Sequence, residues 1–451
     1  MRKLLIVLAI LIIPAISFAG AVTTRYDATI GGYIKAEFGY SDQLRGQSGQ
    51  LPYREPMPGF KHYGEDYGTY FSSAVQTRIN FLVKGPDLKG FKTQAFLEGD
   101  FYAPTAQGEF RLRHARIELL GKDVIYTIGQ TSQVFGSIYG TSQVLLVTVP
   151  WFSAAMPVGG ARMPQINAEY TYKKDFKFLV GAFINNSIVG PTGTGDIDSY
   201  TMAQPYLHGR IMYTTDKCGR IGRDQLTFMA TAFYGREKRV SKEATTYTAP
   251  NLEEVQARFY DKKIDSWGVH GNLFIPVIPA KKDDKTGSVG FSIFGFTMQN
   301  PGDQGIPAPI WTLYAHGRVV VPNSQAPYMR KDGSYGAPVI SGWGPQAYVY
   351  LTDKLLFSAS YASTEAKLST RYKAAAATRW AVEGRSAYVF ILSYDPNPAL
   401  KFTFDWEREK VKFAGVGLAK SSVRDQDIAS TDKLKKRGVN NIYRFGAYYF
   451  F

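Results

Sequence analysis

Residues 74–84 read AVQTRINFLVK, and the character of the side chains alternates along this stretch. The odd positions from Val75 to Val83 are apolar or threonine, whereas the even positions from Gln76 to Lys84 are polar or charged except for Leu82. Successive side chains of a β-strand point to opposite faces, so a period of two indicates a strand. One face of this strand is apolar and the other is charged.

The same alternation continues outward from this strand over the rest of the chain. Residues 91–98, 165–173 and 401–407 repeat it, and no stretch shows an apolar stripe with the helical period of about 3.6 residues. The sequence therefore predicts an all-β fold with sixteen antiparallel strands. The predicted strands are 26–40, 69–84, 89–102, 109–120, 124–131, 164–174, 176–186, 203–215, 224–236, 263–277, 287–299, 341–352, 354–365, 383–394, 399–411 and 439–451.

The links between these strands alternate in length. Tight turns such as 121–123, 173–175 and 352–354 follow the even-numbered strands, and most links after the odd-numbered strands are long. This alternation is typical of an up-and-down transmembrane barrel and is not expected of a soluble sandwich. Residues 310–321 form a possible additional strand, which leaves eighteen strands as the alternative count.

The N-terminus has the pattern of a secretory signal. Arg2 and Lys3 precede the apolar run 4–16, and small residues around Ala19 suggest a cleavage site. We expect residues 1–19 to be a cleaved signal peptide and 20–451 to form the barrel domain. No second apolar run reaches the roughly 20 residues that a membrane-spanning helix needs, which excludes a helical membrane protein.

Composition narrows the function classes. The formal net charge is +15, and the basic residues are scattered along the chain, so we expect anionic solutes or lipid as partners and no nucleic acid. Cys218 is the single cysteine, which rules out an intramolecular disulfide. The five histidines are dispersed and neither G-x-S-x-G nor H-E-x-x-H occurs. We therefore predict no enzyme activity, no catalytic residue, no metal site and no cofactor.

The last strand carries a specific signal. Tyr443, Phe445, Ala447, Tyr449 and the terminal Phe451 share one face of it. This pattern resembles the C-terminal signature of bacterial outer-membrane barrels, which their assembly machinery reads. The resemblance implies the outer membrane as the location, with the barrel-assembly machinery, outer-membrane lipid and lipopolysaccharide as partners.

The predicted barrel explains the polar faces of the strands. A chain that crosses hydrocarbon as strands must close on itself, so that every backbone N–H and C=O group has a partner. Charged side chains such as Lys35, Glu37, Asp405 and Arg444 then point inward, where they need water. Barrels of about sixteen strands leave an aqueous channel, and we therefore expect passive diffusion of small hydrophilic solutes.

The long link 131–163 after the fifth strand is rich in glycine and proline but also contains apolar runs. Loops of this length are usually functional or disordered, and the apolar content argues against a solvated tail. We expect this third loop to fold into the lumen and narrow the channel. Packing on the outer rim is the alternative.

Four stretches in the first third of the chain resemble one family. They are 31–35 (GGYIK), 110–117 (FRLRHARI), 128–131 (IGQT) and 162–166 (RMPQI). They are similar to stretches of the trimeric sixteen-stranded porins of Gram-negative bacteria, particularly the DcaP-like channels. The resemblance implies a homotrimer, an inward third loop, and permeation of small anions such as dicarboxylates.

The resemblance also points to basic residues where the channel narrows. On the matching stretches these are Arg111, Arg113, Arg116 and Arg162. Arg78 and Lys92 have inward parity on neighbouring strands, and a positive wall in a water-filled constriction attracts anions.

Several alternatives remain open. Arg111 and Arg113 share parity with the apolar Ile117, so either a bulge intervenes or this face lies in a subunit contact. The arginines can also serve only as cross-strand partners of Glu98, Asp100, Glu109 and Glu118. A phosphate-specific channel, a sugar channel lined by aromatic residues, and an adhesive surface barrel with a plugged lumen are the other candidate functions.

Overall fold

The structure is a computed structural model. It describes residues 26–42, 68–101, 109–132, 134–136, 162–184, 199–240, 263–299, 314–315, 318–319, 328–329, 335–336, 339–367, 381–415 and 437–451. The predicted signal peptide lies outside the described residues, so its cleavage stays a prediction.

Sixteen strands form one closed antiparallel barrel, as predicted. They are β1 (Asp27–Ser41), β2 (Thr69–Ser73 continued by Arg78–Lys84), β3 (Lys92–Asp100), β4 (Arg111–Leu120), β5 (Val124–Ser132), β6 (Arg162–Tyr172), β7 (Phe176–Phe183), β8 (Ser199–Ile221), β9 (Asp224–Val240), β10 (Lys263–Ile278), β11 (Val289–Gln299), β12 (Val339–Thr352), β13 (Leu355–Lys367), β14 (Ala381–Asn397), β15 (Leu400–Gly415) and β16 (Arg437–Phe450).

Each strand pairs with the next in sequence, and β16 pairs with β1 to close the barrel. The closing register joins Tyr33 to Phe450 and Ser41 to Ile442. Closure leaves no edge strand with unpaired backbone groups, which is what an extended chain requires in hydrocarbon. Both ends of the barrel, at Asp27 and Phe450, lie at the rim that carries the short turns.

The burial of the two faces is the reverse of that in a soluble β-sandwich. Outward apolar side chains such as Ile166 and Val180 are 62% and 66% exposed, whereas the inward Lys35 and Glu37 are each 1% exposed. A soluble sandwich buries its apolar face instead. The sandwich alternative is therefore wrong. Among the described residues, no helix has the length and apolar character needed to cross a bilayer.

The two sides of the barrel wall differ in height. Strands β3 to β7 contain 8 to 11 residues, whereas β8 has 23 residues and β9 has 17. The long-loop ends of β3 to β6 therefore lie lower on the wall than those of β8 and β9. This lower rim is where the basic residues singled out by the sequence meet.

One detail departs from the sequence prediction, and another decides between the two predicted strand counts. The second strand is interrupted at 74–77, where the Thr77 amide donates to the Ala74 carbonyl. The interruption lets Gln76 accept a hydrogen bond from the Lys35 ammonium at 2.8 Å. In the range 310–321, Tyr314–Ala315 and Arg318–Val319 pair only with each other and not with the barrel. The eighteen-strand alternative is wrong.

Candidate functional site

Most charged residues of the inner wall lie on seven consecutive strands, β14, β15, β16, β1, β2, β3 and β4, which we call the charged arc. Alternation of burial along these strands places their ionic side chains on the inward face. The ionic residues of the arc include Lys35, Glu37, Arg78, Glu98, Asp100, Arg111, Arg113, Arg116, Glu118, Arg385, Asp405, Glu407, Glu409 and Arg444.

Two carboxylates hold several arginines together on β2 to β4. Asp100 accepts two hydrogen bonds from Arg111, at 2.9 and 2.6 Å, and one from Arg113 at 2.7 Å. Glu98 accepts from the Nε of Arg113 at 2.7 Å, and Arg78 approaches the same carboxylate at 3.8 Å. The fork of donors on a guanidinium suits this two-point binding.

A fourth arginine joins this group from the first residue of β6. Arg162 lies within electrostatic range of Arg113, Arg111 and Arg78, as well as of Asp100. We call Arg78, Arg111, Arg113 and Arg162 the basic cluster. Because two carboxylates face four guanidinium groups, the cluster keeps an excess of positive charge even though its members form ion pairs.

A β-bulge brings both Arg111 and Arg113 to the inward face. The β3–β4 register shifts by one residue at Glu98, so that Arg113 has no direct partner in the ladder. As a result Leu112 points outward, 44% exposed, on the same side as Ile117 at 55%. Such a bulge re-aims side chains and is common beside functional sites. Arg111 and Arg113 share parity with the outward Ile117, and the bulge explains why both nevertheless point inward.

Arg116 and His114 also lie inward. The Nε2 of His114 lies 3.8 Å from Glu98 beside the cluster, whereas Arg116 has partners of its own. Arg116 donates to Glu118 at 2.8 Å and its guanidinium lies 4.4 Å from the Phe96 ring centroid. The Nδ1 of His114 lies 3.0 Å from the Thr131 hydroxyl. Arg116 is therefore paired within its own strand, apart from the basic cluster.

Lys92 does not join the basic cluster. It is exposed at the first residue of β3, six residues before Glu98, which corresponds to roughly 20 Å along an extended strand. Inward parity identified the face of Lys92, but parity carries no information about height in the barrel.

The sequence-based site omitted the acidic side of the charged arc. On β15, Asp405, Glu407 and Glu409 occupy alternate inward positions. Arg444 donates to Asp405 and to Glu407, at 2.7 Å each, and Arg385 pairs with Glu409. Three carboxylates at every second position were a visible signal of an acidic stripe.

A buried pair on β1 continues this acidic side toward β2. The Lys35 ammonium lies 2.8 Å from Glu37, and both side chains are nearly inaccessible to solvent. Buried charges are tolerated when they are paired and hydrogen-bonded, as they are here. The inner wall thus carries charges of both signs in contact, with the positive excess at the basic cluster.

Between β5 and β6, the described residues of the third loop are Val134 to Gly136, near its start. The Phe135 ring is buried and lies 4.9 Å from the ring of Phe233 on β9 and 5.8 Å from that of His270 on β10. The loop therefore contacts inward side chains at its start. Residues 137–161 lie outside the described residues, so the expected constriction stays a prediction.

The C-terminal residues have the predicted arrangement. Tyr443, Phe445, Tyr449 and Phe451 are outward and between 42% and 52% exposed. Their role as an assembly signal stays a prediction.

Comparison with known proteins gives structural matches only. The chain is similar to the crystal structure of the outer membrane channel DcaP of Acinetobacter baumannii, with a TM-score of 0.64 and 16% identity over 95% of this chain and 98% of that one. It is also similar to an anion-selective porin from Comamonas acidovorans, with a TM-score of 0.53 and 11% identity over 95% and 100% of the two chains. No family model matches the sequence, and no curated protein matches it. The expected resemblance to DcaP-like porins is confirmed for the fold, which is that of bacterial outer-membrane porins.

Proposed function

We propose that this chain is a diffusion channel of the bacterial outer membrane that passes small hydrophilic solutes and favours anions. The observation that carries the proposal is the closed sixteen-stranded barrel with an apolar outer surface and a charged inner wall. The outer surface suits lipid, including lipopolysaccharide. The inner charges suit water, because ions in a dry interior cost several kcal/mol each unless they are compensated.

The basic cluster supports the anion preference. Its positive excess lies on the inner wall, where low-dielectric surroundings focus the field and raise the local anion concentration. Arg78 lies 3.8 Å from Glu98, and Arg162 lies within electrostatic range of the other three arginines and of Asp100, so the cluster presents more guanidinium groups than its two carboxylates neutralise. Two separated guanidinium groups match a solute with two carboxylates, and we therefore propose dicarboxylates as the favoured class.

The proposal includes assembly as a homotrimer, which the resemblance to DcaP-like porins implies. The mass of the purified barrel in detergent is the direct test of this assembly.

One observation favours a second candidate, a surface barrel with a filled lumen. Asp405 and Glu407 have no exposed surface, although they are inward-facing ions. A lumen open to water at their level would leave such side chains partly exposed. The two candidates differ in whether the folded protein conducts ions.

The test is single-channel conductance of the refolded mature protein in planar bilayers, with reversal potentials under a KCl gradient. We expect stable conductance steps and a reversal potential of the sign that anion flow gives. The double variant Arg78→Gln/Arg162→Gln should lower the anion-to-cation permeability ratio roughly threefold to tenfold, because the field of the cluster falls.

The double variant Arg220→Gln/Arg223→Gln is the matched control, since it removes the same number of charges from two exposed side chains beside a turn. It should leave the permeability ratio unchanged. An equal fall of the anion-to-cation permeability ratio in both variants would show that net charge, and not the basic cluster, sets the selectivity. A folded barrel without conductance would favour the filled-lumen candidate.

A further inference from the structure

The inward face of the barrel opposite the charged arc has a different chemistry. On β9 to β12 the described inward positions 227–235, 266–276, 290–298 and 340–350 include no Asp, Glu, Lys or Arg. We call this surface the aromatic wall. Its ring-bearing residues are Phe233, His270, Phe274, Phe294, Phe296, Tyr348 and Tyr350.

Several of these rings lie flat over glycines of the neighbouring strand. A Cβ atom on Gly344 would lie 2.7 Å from the Phe294 ring, and one on Gly342 would overlap the Phe296 ring. The paired positions are directly opposite in the ladder. The same arrangement places Phe233 over Gly268 and Tyr348 over Gly290. A ring that covers a glycine lies along the wall, and the seven rings are between 1% and 8% exposed, so their lumen side is covered.

The angles between neighbouring rings support this arrangement along the wall. The rings of His270 and Phe294 are 6.3 Å apart and inclined by 19°, and those of Phe274 and Tyr348 are 6.1 Å apart and inclined by 18°. The ring of Phe135 meets Phe233 edge-on at 83°. An apolar group from this chain therefore already contacts one face of the wall from the lumen side.

Four polar side chains between these rings have hydrogen-bonding atoms without a partner. They are the Oγ1 of Thr231, both ring nitrogens of His270, the Oδ1 of Asn272 and the Oε1 of Gln346. All four residues are at least nine-tenths buried. An unpaired buried polar atom costs about 1–3 kcal/mol, so four neighbouring residues of this kind need an explanation.

Three of these residues lie close together on the wall, and the fourth is farther away. Thr231 is directly opposite His270 in the β9–β10 ladder, and Asn272 follows two positions later on the same face. Gln346 lies on β12, two strands and two residues from Asn272, which corresponds to about 12 Å at the usual strand spacing and rise. Thr231 and Gln346 are three strands and four residues apart, which corresponds to about 20 Å. The whole set is therefore longer than one sugar ring.

We infer that the aromatic wall is a binding subsite for uncharged, hydroxylated ring solutes such as monosaccharides. The inward positions of the wall carry no Asp, Glu, Lys or Arg, and the neighbouring Asp224 accepts a hydrogen bond from the Tyr348 hydroxyl at 3.0 Å. The ring faces can contact the C–H groups of a sugar ring.

The unpaired atoms include the carbonyl oxygens of Asn272 and Gln346, which only accept, and the Thr231 hydroxyl and the His270 ring, which can do both. Sugar hydroxyls donate and accept, so a monosaccharide can pair with the neighbouring Thr231, His270 and Asn272, or bridge Asn272 and Gln346. The inference rests on the proposed channel, since solute must reach the lumen and displace the groups that cover the wall, such as Phe135 on Phe233 and His270.

The test adds glucose to the bilayer experiment and compares wild type with the double variant Asn272→Leu/Gln346→Met. The two replacements keep side-chain volume and remove the polar atoms. We expect glucose to interrupt the wild-type current in a concentration-dependent way. The concentration for half block should rise roughly tenfold or more in the double variant, because two hydrogen bonds are lost.

Malonate, a dicarboxylate, serves as the comparison solute, and Arg78→Gln/Arg162→Gln serves as the comparison variant. Asn272→Leu/Gln346→Met should leave the response to malonate unchanged, and Arg78→Gln/Arg162→Gln should leave the response to glucose unchanged. If glucose changes only the bulk conductivity, equally in wild type and variant, the unpaired atoms bind water alone and the subsite is rejected while the channel stands.

A folded barrel that does not conduct would refute the channel and still allow the subsite to be tested. Equilibrium dialysis of labelled glucose against the detergent-solubilised barrel then decides. Binding by wild type that is lost in the double variant would support the subsite, and no binding by wild type would overturn it.

Discussion

The charged arc and the aromatic wall have the same backbone architecture but satisfy their inward side chains differently. In the arc, ionic groups contact one another, as in the paired bonds from Arg444 to Asp405 and Glu407. In the wall, rings cover glycines, and the polar atoms without a partner belong to Thr, His, Asn and Gln side chains. Unpaired atoms also occur in the arc, among them the Oδ2 of Asp405 and the Oε1 of Glu407. The arc thus fixes an electrostatic potential, whereas the wall offers rings and polar groups without Asp, Glu, Lys or Arg.

This difference separates two contributions to solute choice in one lumen. Charge acts over a Debye length of about 10 Å at 0.1 M salt, so the arc can attract anions from a distance. Ring contacts and hydrogen bonds act only in direct contact. A lumen with both surfaces can draw in anions and also retain neutral solutes, provided that each surface works as its geometry indicates.

The largest effect is expected from breaking the ion pairs of the arc. Arg444→Met leaves Asp405 and Glu407 on adjacent inward positions without their shared cation, and removal of one partner of a buried pair costs about 3 kcal/mol or more. Urea unfolding of the folded barrel in lipid vesicles should show this loss as a lower midpoint.

Tyr443→Phe is the control for Arg444→Met, because Tyr443 is the adjacent residue on the outward face. It should change the unfolding free energy by less than about 0.5 kcal/mol. If Arg444→Met is as stable as wild type, the pairs in the arc contribute nothing to stability and the arc does not differ from the wall in this respect.

A smaller effect is expected from disturbing the ring packing of the wall. Gly344→Ala puts a Cβ atom 2.5 Å from the Tyr361 carbonyl oxygen and 2.7 Å from the Phe294 ring. Overpacking of this kind costs about 1–3 kcal/mol, and displacement of Phe294 should also weaken the block by glucose. Unfolding and conductance measure the two effects separately.

Gly271→Ala is the matched control on the same part of the barrel. Nothing lies within 4 Å of a Cβ atom at Gly271, which faces outward. The variant should remain within about 0.5 kcal/mol of wild type and keep the glucose response. If Gly344→Ala behaves in the same way, the rings of the wall are not held by the glycines opposite them.

The fold was predictable because alternation and link length are local properties of the sequence. The parity of Ile34 against Lys35, or of Phe404 against Asp405, already separates the lipid face from the lumen face. In hydrocarbon only one arrangement satisfies such strands, a closed barrel. The sequence therefore determined the number of strands and the face of most side chains.

The site was less predictable because it depends on register. The bulge at Arg113 changes which face Arg111 occupies, and the pairing that decides it lies on another strand. The same holds for the wall, since the sequence shows Phe294 but not that Gly344 lies opposite. Height is also set by register, which is why Lys92 has the predicted parity and still lies outside the basic cluster.

The smallest effect is expected at a single hydroxyl of the aromatic wall. Thr231 and Thr227 share the inward face of β9 and both are buried, but only Thr227 donates its hydroxyl hydrogen bond, to the Gln225 carbonyl at 3.0 Å. Thr231→Val removes an unpaired hydroxyl and should stabilise the barrel by about 1 kcal/mol, whereas Thr227→Val loses a bond and should destabilise it by a similar amount. Urea midpoints in lipid vesicles measure both. Added glucose should then raise the midpoint of wild type more than that of Thr231→Val, because only wild type can offer this hydroxyl to the solute. Equal destabilisation by the two valines would mean that Thr231 already has a partner in the lumen, and the wall would lose this hydroxyl as a contact for the solute.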